Sequence, residues 1–363
     1  MKMKDREFNK KPILLLLLLA FAIFTVNAQK IEKQETVTKE FEVGVNPKIE
    51  FENKNDDLKI VTWDENKVKY QAFIRIKGTE KEDIEKTLNA LKNISITETG
   101  GNLAINTKFY TKYLSVQPSL KRDHIRIYLK KGETVRLSEI KINYVLTIPK
   151  NSNLVLKNKY SDVKLADLDG KVNAEIYSGK LEGENISGNL ILSLKYSSAI
   201  LSSAGNCVFD IYDSKIEIEK IGDLDLKSKY SEINIQNTGS VKMDVYDDKI
   251  NISHLKSIEG KAKYTSFTLG SFNQGTFDIY DCTLSGQDVQ ILYLTGKYTK
   301  ISFNKVGKLE FPECYDNKLN IATLGEFKST SKYTTFTIGE LGKNFDLSGY
   351  DDDVRIAHVL NNF

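Results

Sequence analysis

The chain has 363 residues, 52 Lys and Arg against 49 Asp and Glu, 40% hydrophobic and 28% charged residues. Five of the bases and two of the acids fall in residues 1–28, so the remainder carries 47 of each and no net charge. A nucleic-acid binder needs a basic surface to displace counterions, and this balance argues against one. The apolar content excludes a disordered chain.

Residues 1–28 read as a signal peptide. Met1 to Lys11 is basic, Pro12 to Val26 is apolar and includes Leu14 to Leu19, and Val26-Asn27-Ala28 offers small residues for cleavage. An apolar run of about 15 residues is short of the roughly 20 needed to span a bilayer. The expected location is therefore exported (periplasm, outer surface or secreted), with no membrane span after cleavage. Residues 29–45 read as a linker.

The amino-terminal β region is placed at 46–150. Residues 49–60 (IEFENKNDDLKI) resemble a single repeat unit, and Val68, Tyr70, Ala72, Ile74 and Ile76 alternate as a strand. Thr79-x-x-Glu82 before Ile84, Leu88 and Leu91 predicts an amphipathic helix over 80–92. Strands follow around Leu103 to Tyr110, Ile125 to Lys130 and Ile140 to Ile148, with turns at Pro118 and Gly132. This region is expected to cap the array of repeats at residues 151–363.

Residues 151–363 are repetitive, and the register of the repeat fixes the fold. Twelve tyrosines alternate between Lys-Tyr-Ser/Thr (Tyr160, Tyr196, Tyr230, Tyr264, Tyr298, Tyr333) and Tyr-Asp or Tyr-Ser (Tyr177, Tyr212, Tyr246, Tyr280, Tyr315, Tyr350). Aligned on Tyr, the apolar pattern slips by one residue, which would turn a strand inside out. Offsetting the second context by one place makes every spacing 17 or 18. The reference column, position 0, then reads Tyr160, Ser178, Tyr196, Asp213, Tyr230, Asp247, Tyr264, Asp281, Tyr298, Asp316, Tyr333, Asp351. Position −1 alternates Lys and Tyr. Apolar columns stand at −6 (Leu154, Val172, Leu190, Cys207), +3 (Val163, Leu181, Ala199, Ile216) and +5 (Leu165, Leu201, Ile218, Ile235), with Gly183 and Gly286 as gaps at +5. In-phase columns point to an all-β, single-chain parallel β-helix or β-solenoid of about twelve rungs. An antiparallel meander is the rival arrangement.

Asn53 to Ile60 with Trp63-Asp64, a helical insert, then Tyr144-Val145-Leu146-Thr147-Ile148-Pro149-Lys150 leading into β repeats, resembles the exported candidate adhesins of bacteria that carry β-strand repeats. The resemblance implies a surface or envelope binding role and supplies no catalytic residue or cofactor. The Lys-Tyr/Tyr-Asp alternation departs from that family's usual Asn-Gly-Asp turn.

By strand parity, position 0 is expected to face inward, its tyrosine hydroxyls reaching aspartates on neighbouring rungs. Position −1 is expected to face outward, with lysines stacked against rings. The outward tyrosines Tyr177, Tyr212, Tyr246, Tyr280, Tyr315 and Tyr350 then form a candidate ligand strip at two-rung intervals of roughly 9.6 Å, suited to a glycan. An architectural role alone, or an envelope-protein partner on a periplasmic scaffold, competes with that reading. A polysaccharide-cleaving β-helix enzyme is a further alternative, but its acids would break the repeat and converge, whereas these recur with it. Asp351-Asp352-Asp353 reads as a cap on the last rung. His124 is isolated and His254 and His358 are six rungs apart, so no metal site and no cofactor is expected. Cys207, Cys282 and Cys314 match no disulfide or metal spacing and read as free core or turn residues.

Overall fold

The computed structural model describes residues 30–115 and 125–360. The expected signal peptide, together with Pro118 and His124, lies outside the described residues. Chain contacts define two compact units: one of residues 30–34, 75–90 and 110–140, and a larger one of residues 35–74, 91–109 and 141–360. The smaller unit holds most of the helix Lys81–Lys92, whose Ile84 and Leu88 are buried, and an antiparallel sheet of Tyr110–Ser115, Ile125–Leu129 and Thr134–Leu137. Arg75 and Lys77 both pair with Glu139 there.

The larger unit is a β-solenoid. Leu154 pairs with Val172, Val172 with Leu190, Leu190 with Cys207 and Cys207 with Leu224, all parallel, which excludes the antiparallel meander. Lys159 pairs with Tyr177 and Tyr177 with Lys195, so the one-place offset between the two tyrosine contexts is the register of the backbone. The early repeat joins the same stack: Ile49 pairs with Leu154 and Lys54 with Lys159. Each rung contributes one strand to each of two sheets. In one rung these are Leu224–Lys229 and Glu232–Asn237, in the next Ser240–Tyr246 and Lys249–His254. At the amino-terminal end both sheets are extended: Ile49 pairs with Leu103 in the first, and Asp57 with Asn143 in the second.

The columns at −6, −4, −2, +3 and +5 line the core; Leu226, Ile233 and Ile235 are at most 2% exposed. One rung has too little apolar surface to fold alone, so stability comes from stacking.

Two expectations are corrected. Residues 31–42, read as linker, form the strand Ile31–Glu42, whose alternation is polar enough to pass for linker. Position 0 does not face inward. Its backbone is left-handed on all twelve rungs from Tyr160 to Asp351, with φ between 45 and 61°, and also at Asn55 with φ 73°. A left-handed residue reverses the pleat, so the inward parity passes from −2 directly to +1. The residues at 0 are thrown outward: Tyr160, Tyr196, Tyr230, Tyr264, Tyr298 and Tyr333 are 44–51% exposed, and Asp213, Asp247, Asp281 and Asp316 are exposed as well. The expected contact of buried tyrosine hydroxyls with aspartates does not form.

Candidate functional site: a tyrosine ridge on a buried hydroxyl column

The corner between the two sheets is built from the inside out. After the left-handed residue, the amide at +1 points away from both sheets and needs an acceptor. From Ser197 onward it finds one on the +1 side chain of the next rung; Gly179, at +1 one rung earlier, has no side chain to offer. Ser197 N donates to Ser214 Oγ at 3.0 Å, Ser214 N to Ser231 Oγ at 3.2 Å, Ser231 N to Asp248 Oδ1 at 2.7 Å and Thr299 N to Asn317 Oδ1 at 2.8 Å. The serine and threonine hydroxyls donate in turn to the carbonyl at −1 of their own rung: Ser214 Oγ to Tyr212 O at 2.7 Å, Ser231 Oγ to Lys229 O at 2.8 Å. The result is a buried polar column that pins the corner rung by rung. At its last rung Asp352 Oδ1 accepts the Thr334 amide at 2.8 Å, so of the three terminal aspartates this one closes the column. Cys282 occupies +1, in the turn between the strands Phe272–Tyr280 and Thr283–Lys297, and its side chain is buried in that column. All three cysteines are unpaired and buried, and desolvation pushes the Cys207 thiol up to about 12 and that of Cys314 up to about 11.

Asp248 is a buried carboxylate in the column, 5% exposed. Burial raises its pKa to about 6, against the opposing effect of hydrogen bonds from Ser231 N, Ser228 Oγ and Tyr246 N.

Outside the column stands the ridge. The six strip tyrosines at −1 do not stand alone at two-rung intervals. The left-handed tyrosines fill the gaps, and all twelve rings form one ladder from Tyr160 to Tyr350. Neighbouring centroids are 5.3–5.9 Å apart and neighbouring planes are inclined by 78–89°, the edge-to-face geometry. Lysines at −1 flank one edge of the ladder and aspartates at 0 the other. Lys54 Nζ sits 5.5 Å from the centroid of Tyr160.

A groove runs along each side of this ridge. The one on the first sheet has a volume of about 840 Å³ and runs from Lys195 to Tyr280; its floor is the outward −3 column and its wall the −1 column. The other, of about 830 Å³, is bounded by Tyr196, Tyr230 and Tyr264 with Asp213 and Asp247. Among the described residues no cluster of three or more His, Cys, Asp or Glu is arranged to hold a metal ion. His254 and His358 are exposed, on separate rungs.

No protein-family model matches the sequence, and no curated protein matches it. Among solved structures, the chain is similar to a candidate cell adhesion protein from Clostridium sporogenes, at 12% identity and a TM-score of 0.28 over 62% of this chain and 100% of that one. It is also similar to a candidate adhesin from Bacteroides fragilis, at 11% identity and a TM-score of 0.18 over 90% of this chain and 97% of that one. At such scores neither structure says what this chain is or what it binds.

Proposed function

We propose that the chain is an exported, non-catalytic binding protein of the adhesin kind, which lays an extended polysaccharide along the tyrosine ridge. The observation that carries this reading is the unbroken ladder of twelve half-exposed or partly exposed rings. Rings two rungs apart are equivalent, so the rigid row repeats the same contacts along a polymer at that interval, and phenol rings stack on the apolar faces of sugars. Catalysis needs unlike groups converging at one point; here the same groups recur on every second rung. In this reading residues 1–28 direct export.

Alanine at Tyr246 and Tyr280 together removes two adjacent strip rings from the groove wall. The expected result is weaker retention on polysaccharide matrices with an unchanged far-ultraviolet spectrum. Undiminished retention would overturn the reading. Retention of an envelope protein in place of any polysaccharide would replace it with the scaffold role. Protease access on intact cells tests export.

A further inference from the structure

The groove on the first sheet has a second periodicity, in phase with the tyrosines. Resting on the reading of the ridge as a polysaccharide site, we propose that this groove selects an acidic polysaccharide carrying one negative charge on every second sugar.

The parallel register sets the columns. At −3, Asp210 pairs with Lys227, Lys227 with Asp244, Asp244 with Lys261 and Lys261 with Asp278. At −1 the same strands pair Tyr212 with Lys229, Lys229 with Tyr246, Tyr246 with Lys263 and Lys263 with Tyr280. The two columns therefore alternate together. One kind of rung presents two lysines, Lys227 with Lys229 and Lys261 with Lys263. The other presents a carboxylate beside a ring, as at Asp244 with Tyr246. Beyond the groove the acid keeps its place at Glu175 and Glu313, on the strands of Tyr177 and Tyr315, whereas Ser193, Thr295 and Thr330 stand where the second lysine would, so the full alternation is confined to the stretch from Asp210 to Asp278.

Charge neutralisation alone requires Lys and Asp to alternate at −3, but it does not require the acid to share a rung with the tyrosine. That pairing makes two unlike subsites. On a lysine rung, the two ammonium groups arise from Cα atoms about 6.6 Å apart along the strand and can straddle one carboxylate or sulfate. On the next rung the aspartate accepts hydroxyl hydrogens from a sugar and the tyrosine meets its apolar face. Two rungs advance about 9.6 Å, roughly the length of a disaccharide in an extended chain. The aspartates also repel a second charge, so a polymer charged on every sugar is disfavoured. The lysines remain available to a ligand: Lys261 and Asp278 are 3.9 Å apart at side-chain exposures of 75 and 63%, a pair that solvent and salt weaken.

The test is binding of the full chain to three soluble probes of similar length: hyaluronan, charged on alternate sugars, polygalacturonate, charged on each, and a neutral β-1,4-glucan. Hyaluronan is expected to bind most tightly, with an affinity that falls as salt rises. The Lys227→Ala, Lys261→Ala double variant is expected to weaken hyaluronan binding by about five- to tenfold and to leave the glucan unchanged. Equal binding of hyaluronan and glucan overturns the charge selection while the ridge reading stands. Equal or tighter binding of polygalacturonate overturns the period. Binding of none of the three removes both readings. A concentration-dependent dimer that the double variant abolishes would show the groove to be an interface between copies of this chain, and would also overturn the proposal.

Discussion

Tyr160 and Tyr177 meet edge to face with centroids 5.4 Å apart, although the backbone partner of Tyr177 is Lys159. The left-handed turn at Tyr160 reconciles the two facts. It swings a side chain at position 0 back over the −1 column, so residues offset by one place in register become ring neighbours. A left-handed conformation costs roughly 1–2 kcal/mol for a residue with a Cβ, and each aromatic pair contributes about 0.5–1.5 kcal/mol. Two ring contacts offset the backbone cost at Tyr196, Tyr230, Tyr264, Tyr298 and Tyr333; Tyr160, at the end of the ladder, has one ring contact and Lys54 over its face.

Tyr230 tests that balance. It touches Tyr212 and Tyr246, at 5.6 Å each, with φ 58°. Tyr230→Ala loses both contacts and keeps the backbone penalty. Tyr230→Gly loses the contacts and relieves the penalty. The glycine variant is therefore expected to be about 1 kcal/mol more stable than the alanine variant, the reverse of the usual order in a strand. Urea denaturation of the pair decides it; an alanine variant at least as stable as the glycine variant would remove the strain argument.

The repeat, its register and the early rung are legible in the sequence because strand pairing acts on every residue of a rung and leaves a period of 17 or 18. The orientation of position 0 is lost when parity is carried straight through the corner. Its signal is nevertheless present: the buried apolar columns are even before position 0, as at Leu154 and Leu156, and odd after it, as at Val163 and Leu165. A change of phase marks a residue that breaks the pleat. Asn55 and the aspartates, types that tolerate positive φ, mark the same place. The hydroxyl column at +1 is hidden because serine and threonine after a turn read as solvent-facing, whereas here they satisfy amides that the fold strands inside. The paired rungs at −3 and −1 are in the sequence too, but only the groove singles out −3 among the outward columns.

Ser231 tests the buried column. Its Oγ accepts the Ser214 amide and donates to Lys229 O. Ser231→Ala strands that amide, at a cost of about 1–3 kcal/mol. Ser231→Thr keeps both bonds, as Thr265 does with the Asp248 amide and Lys263 O, and is expected to cost well under half as much. Equal losses in chemical denaturation would mean that packing, not hydrogen bonding, holds this corner.

Asp248 gives the column a pH dependence. Its pKa rises from 3.8 in the unfolded chain to about 6 in the folded one, so the folded state binds the proton more tightly. The charged form therefore costs stability at neutral pH, and that cost is relieved as pH falls from about 6 towards 4. Allowing for screening, the effect is roughly 2 kcal/mol. Asp248→Thr, which copies its neighbour Thr265, is expected to be more stable than the parent at pH 7 and to lose the advantage near pH 4. Thermal melts of both proteins across that range provide the check, and parallel pH profiles would rule the assignment out.

Gly286 and Phe303 share the +5 column, where Gly286 pairs with Leu269 on one side and Phe303 on the other. A Cβ on Gly286 would lie 2.2 Å from Phe303 Cε1, and the three nearest atoms to it all belong to that ring. Phe303 is 3% exposed and meets Phe272 edge to face at 6.2 Å, so it has little room to turn. The glycine is therefore a space filled by the next rung's side chain, not a flexible joint. Gly286→Leu alone overpacks the core and is expected to cost about 1–3 kcal/mol. Combined with Phe303→Ile it recreates the Leu-over-Ile order that Leu201 and Ile218 already show in this column. The double variant should then be more stable than the sum of the two single changes predicts, by at least about 0.5 kcal/mol. Strict additivity in denaturant melts would mean that the two positions do not share one volume.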